Sequence, residues 1–270
     1  MTDYNSFKEL FQSYNDAIRK KCEQYMESAA TPGDYASIIN DARKNWEEKL
    51  FQGKKPCEFF RASEANGDFN EIFIMGCEIC DEFIPESLAV AAMDPDMIEM
   101  IERYAFGEGN YETRTVAIKI IGRTGNPVYA VRFMDIFSIE DEYGELIKET
   151  AREALVSIGQ TAVPLIIERL AEKDLLNDDD FHMIMALVDI DAGRKANDIM
   201  KVLKESFKKT HDKALAARCM SDFGDGRVVP MLRSYLEKNA FRLDAETALE
   251  IQGAVLELGG SVDGIDIPYK

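Results

Sequence analysis

The strongest constraint on this chain is a set of residue columns that returns through its C-terminal two-thirds. Aligned on Gly122, Gly159, Asp191, Gly224 and Gly259, each segment has a small residue five positions earlier, Ala117, Ala154, Ala186, Cys219 or Ala254. A larger apolar residue follows it, Ile118, Leu155, Leu187, Met220 or Val255, and another stands immediately before the anchor, Ile121, Ile158, Ile190, Phe223 or Leu258. The anchors follow one another at 37, 32, 33 and 35 residues. Columns repeating at this period, with one position held small, predict stacked helix pairs, because a small side chain lets neighbouring backbones approach.

The clearest copy runs from Ile147 to Lys173. Ala151, Ala154, Leu155 and Ile158 fall at i, i+3, i+4 and i+7, which gives one apolar stripe, while Lys148, Glu149, Arg152 and Glu153 face elsewhere. Gly159 closes that helix and Pro164 sits in the first turn of the next, where a missing N–H costs nothing. The second helices keep the register at eight, eleven and twelve residues past the anchor: Ala130/Phe133/Met134, Ile167/Leu170/Ala171, Ile199/Val202/Leu203 and Leu232/Tyr235/Leu236.

Cys219 to Leu232, CMSDFGDGRVVPML, and, shortened by one residue, Ala154 to Ile166, ALVSIGQTAVPLI, resemble the HEAT repeat of the PBS-lyase HEAT-like type, a small-Leu-Gly-x-Leu-Gly-Asp segment followed by Val-Pro-x-Leu. The unit from Ala186 departs, with Asp191 in the glycine position and no proline after it. The resemblance covers roughly residues 111–260 and implies an all-α, right-handed α-α superhelix of the armadillo type, with about five to six helix pairs. It implies fold and says little of activity, since repeats of this kind serve many functions.

Residues 1–66 lack the columns and hold Phe7, Phe11, Tyr14, Tyr25, Tyr35 and Trp46 in two helical patterns, as expected of an N-terminal helical cap. The solenoid is expected over 67–270, with clear repeats over 111–260 and a degenerate copy over 67–110. Asp94 and Pro95 start a helix that runs to about Phe106, while residues 85–93 are ambiguous. The closing SVDGIDIPYK is too short for another second helix.

The net charge of −18 and pI near 4.6 oppose nucleic-acid binding and attraction to anionic membranes, both of which need clustered Lys and Arg. Five cysteines, with neither a leader-like amino end nor an apolar run of bilayer length, point to a cytoplasmic, reduced protein.

Charge is unevenly spread. Residues 67–111 hold 11 acidic side chains and one basic one, Arg103. Glu78, Asp81, Glu82, Glu86, Asp94 and Asp96 belong to this stretch and form a candidate patch for a basic protein partner, against the alternative of a merely solvated face. Near ten residues past successive anchors stand Arg132, Arg169, Lys201 and Arg233, a candidate cation ladder for acidic peptides or phosphate. Against it, Asp135 and Glu172 lie three residues beyond Arg132 and Arg169, close enough to neutralise them.

No catalytic constellation is present. Cys77-Glu-Ile-Cys80 has redox or zinc spacing but lies inside a helix, and His182 and His211 have no motif company. No catalytic residue, cofactor or metal is therefore expected. The leading expectation is a non-enzymatic interaction scaffold. The resemblance also allows a bilin-lyase-like enzyme or accessory and, less readily, a HEAT-like nucleic-acid binder. Neither oligomeric state nor partner identity is specified.

Overall fold

A computed structural model describes residues 4–27, 32–65, 67–81, 83–140 and 143–266. The protein is all-helical: among the described residues there is no strand, only the isolated bridges Phe51 to Lys54 and Leu176 to Thr210. Two compact units divide at residue 124, in the loop after the seventh helix, and the expected cap boundary at 66 falls inside the first of them.

Unit 1 contains α1 (Tyr4–Glu27), α2 (Pro32–Glu47), α3 (Pro56–Ala65), α4 (Phe69–Cys80), α5 (Glu86–Ala92), α6 (Pro95–Arg103) and α7 (Tyr111–Arg123). Helix α1 packs on α2 and α4, and α3 packs on α5. The stretch 85–93, ambiguous in sequence, is largely helix α5. The expected helix to Phe106 stops at Arg103 and passes into a π-helical turn, Tyr104–Glu108, before Asn110 caps α7 by accepting from Thr113 N at 3.0 Å.

The core of this unit is aromatic. Phe60 lies 6.1 Å from Phe7 and 5.9 Å from Phe11 between ring centroids, and Tyr14 meets Trp46 edge to face at 4.9 Å. Trp46 is fully buried and its indole N–H donates to Ser13 Oγ at 3.0 Å. Helix α4 approaches α1 closely at Gly76, where a Cβ would stand 2.6 Å from Leu88 Cδ2 and 3.1 Å from Phe11 Cζ. A larger residue there would require Leu88 and Phe11 to shift.

Unit 2 contains α8 (Val128–Ile136), α9 (Gly144–Ile158), α10 (Val163–Ala171), α11 (Asp180–Asp191), α12 (Asn197–Lys209), α13 (Lys213–Phe223), α14 (Val229–Asn239) and α15 (Ala245–Glu257). Helices α9, α11, α13 and α15 pack each on the next to form one row; α8, α10 and α12 do the same in a second. The small column is buried throughout, with Ala117, Ala154, Ala186, Cys219 and Ala254 at most 3% exposed, and the apolar column after it is completely buried.

The anchors differ in detail. Gly159, Gly224 and Gly259 take φ of 76°, 72° and 80°, the left-handed conformation that ends a helix cheaply only at glycine. Gly122 does not: it is buried inside α7, and Gly125, φ 67°, turns the chain instead. In α10 the buried positions are Val163, Ile166 and Leu170: Leu170 is buried as expected, but Ile166 takes the place of Ile167, since Gly159–Thr161 forms a tight 3-10 turn ahead of the helix. Ile167 is thereby left half-buried and Ala171 exposed.

Asp191 explains the copy without glycine. Its buried carboxylate accepts from Lys195 N at 2.6 Å and Ala196 N at 3.2 Å, so it ties down the turn into α12. One module on, Asp225 accepts from Arg227 N at 3.0 Å and Nε at 2.8 Å, and Arg227 reaches back to Asn197 Oδ1 at 2.6 Å and Lys195 O at 3.1 Å. The acid–arginine pair thus locks one turn onto its neighbour. After α15 the chain runs on without a helix to Asp266, held by Arg233, which donates to the carbonyls of Ser261 and Asp263.

Candidate functional site

The acidic candidates belong to unit 1. Glu78 is exposed on α4, and Asp81, also exposed, ends that helix at φ 54°, ψ −143°, a conformation strained for any side chain. Asp94 caps α6 by accepting from Asp96 N at 3.0 Å, which leaves Asp96 exposed in the first turn, where the helix dipole favours negative charge. Glu86 pairs with Arg123, Nη1 to Oε2 at 3.0 Å. Glu82 lies outside the described residues.

A groove of about 600 Å³ gathers part of this charge. Glu86 and Asp94 line it together with Glu47, Glu48, the apolar Val90 and Met93, and two cations, Lys55 and Arg61. Sequence spacing could not have found Glu47, which comes from the distant end of α2. Its carboxylate accepts from Ser87 N at 3.0 Å, while burial raises its pKa more than that bond lowers it.

The cation candidates all lie on second helices of unit 2, and each is placed differently. Arg169 pairs with Asp135 at 3.0 Å, across from α10 to α8. Arg132 is half-buried and already engaged. Arg233 donates to Glu237 at 3.1 Å as well as to the tail carbonyls. Lys201 is exposed at the rim of a groove of about 200 Å³ between α10 and α12, with no polar partner among the described residues.

Charge is sorted by row. The second helices α8, α10, α12 and α14 hold eight Lys or Arg and five Asp or Glu, whereas α9, α11, α13 and α15 hold four and ten. Several of those acids are structural. Besides Asp191, Asp180 is buried against Lys173 and accepts from Asn177 N at 3.1 Å, and Asp179 takes the buried Lys148 at 2.6 Å. His182 stacks on Phe137, centroids 5.1 Å apart, and burial lowers its pKa.

Cys77 and Cys80 are buried in α4, and burial pushes both thiols up, that of Cys80 to about 12. Protonated and enclosed, they act as small apolar packing groups. No group of three or more His, Cys, Asp or Glu among the described residues is arranged to hold a metal ion. No single described helix is long and apolar enough to cross a membrane.

Comparison with family models, curated proteins and solved structures finds no match to this chain. The residues themselves therefore carry the functional argument.

Proposed function

We propose that this chain is a HEAT-like helical-repeat interaction protein, a right-handed solenoid without catalytic function, whose acidic face in unit 1 takes a basic protein partner. The observation that carries this reading is the composition of residues 67–111, 11 acids against one base. Glu78, Asp81, Asp94 and Asp96 expose their charge there, and a groove with four carboxylates against Lys55 and Arg61 offers Val90 and Met93 as apolar contacts. Exposed charge steers a partner of opposite sign, and the apolar floor supplies contact area once it arrives. The two helix rows and the buried small column of unit 2 support the solenoid. Five free cysteines fit a reducing, cytoplasmic setting.

A lysine-rich peptide containing leucine tests this. It is expected to bind the full chain, to weaken steeply as salt rises, and to slow amide exchange within 67–111. Charge reversal at Glu78 and Asp96 is expected to weaken it by about tenfold, since two attractive contacts become repulsive. Absence of binding at low salt, or protection confined to unit 2, would falsify the reading.

A further inference from the structure

Helix α12 carries Lys201, Lys204 and Lys208 at i, i+3 and i+7, so one face of it is a basic ridge in a protein of net charge −18. Lys201 and Lys204 have no hydrogen-bond or ion-pair partner among the described residues, whereas Lys208 is held by Glu205 at 2.7 Å. Of these, Lys201 lines an apolar depression, and Lys204, half-buried, follows one turn along the helix. The α10/α12 groove is floored by Leu170 and Leu176 and walled by Ile167, Ala171 and Val202, the first two being the positions that the shift in α10 left uncovered; Lys201, Lys209 and Glu205 also line it, and the charge of Glu205 is answered by Lys208.

We propose that this ridge and groove form a second docking site, distinct from the acidic face of unit 1, for an acidic peptide segment of alternating carboxylate and apolar side chains. The carboxylates meet Lys201 and Lys204, and the apolar side chains enter between Ile167 and Val202. Charge complementarity selects the occupant: a basic segment would face the ridge with like charge, and a purely apolar one would leave two lysines unanswered. Another second helix of the same unit, α14, already holds a segment of this composition. The chain's own tail, with Val262, Asp263, Ile265 and Asp266, is anchored through backbone carbonyls by Arg233 of α14. Among the described residues no such segment covers the α10/α12 groove.

The test uses the full chain and a fluorescent peptide in which glutamate alternates with leucine, read by polarisation at low salt. Binding is expected, with the peptide carrying lysine in place of glutamate giving no signal that depends on the ridge. Lys201→Glu with Lys204→Glu is expected to lower affinity at least about tenfold, because neither side chain has a structural partner and their reversal acts on the ligand alone. Ala171→Asp, at an exposed groove wall, is expected to weaken binding as well, and Arg218→Glu on α13 to leave it unchanged. The proposal is overturned if the acidic peptide does not bind, if the double variant binds it as tightly as the wild type, or if a single-stranded oligonucleotide binds where the peptide does not. Because the ridge lies in unit 2, any of these results leaves the reading of the acidic face standing.

Discussion

The carboxylates of the two units are used in opposite ways. In unit 2, Asp180, Asp191 and Asp225 are drawn into turns, buried, and bonded to backbone amides or to cations. In unit 1, Glu78, Asp81 and Asp96 stand in solvent, and Asp94 spends only one oxygen on a cap. Acidic composition therefore has no single meaning along this chain. Where a carboxylate answers buried donors its removal harms the fold, and where it answers water its removal alters only the field outside.

This contrast is sharpest at Asp191. Asp191→Ala removes a buried acceptor from two backbone amides of the turn into α12 and is expected to cost about 1–2 kcal/mol, read by urea denaturation. A loss under about 0.5 kcal/mol, the size expected of a surface change, would break the comparison. Asp225 adds a pH dependence. The hydrogen bond from Arg227 holds its pKa below the ordinary carboxylate value, so its contribution is present above about pH 4 and is lost as pH falls through the depressed value. Asp225→Asn is expected to destabilise the protein at neutral pH and to flatten the loss of stability below pH ~4, monitored by ellipticity across a pH series.

In unit 1 the effects are smaller. Asp94→Ala is expected to cost about 1 kcal/mol through the lost cap of α6. Replacing Glu78 with Gln and Asp96 with Asn together is expected to move stability by no more than about 0.5 kcal/mol while weakening the basic peptide. Should that pair destabilise as much as Asp191→Ala, the acids of unit 1 would be structural after all, and the steering argument would lose its basis.

Much of unit 2 was legible because its columns are local. A small residue every 32 to 37 positions, followed by a large apolar one, is visible without coordinates, and Ala154, Leu155, Ala186 and Leu187 are buried as that pattern requires. Two details were not. Gly122 and Gly125 are both glycines near a helix end, and which one turns left-handed depends on how far α7 packs, which periodicity does not report. The shift in α10 arises from a turn one residue tighter than its neighbours, and it decides whether Ile167 faces the core or the groove.

The sites were less legible because charge pairing is a matter of space. The spacing of Asp135 from Arg132 suggested a bond along one helix, whereas Asp135 pairs with Arg169 on α10. Glu47 joined Glu86 and Asp94 from a helix distant in sequence. By contrast, the ridge of Lys201, Lys204 and Lys208 was readable from its spacing alone. What sequence could not supply is that two of the three have no polar partner among the described residues.

The sole tryptophan also has a use beyond packing. Trp46 is sealed among rings in unit 1, with its N–H bound to Ser13, and unit 2 contains no other indole. Its emission is thus a built-in gauge of one half of the molecule. Set beside ellipticity, which averages over every helix, it lets an experimenter see whether the halves come apart together or one at a time without attaching any label.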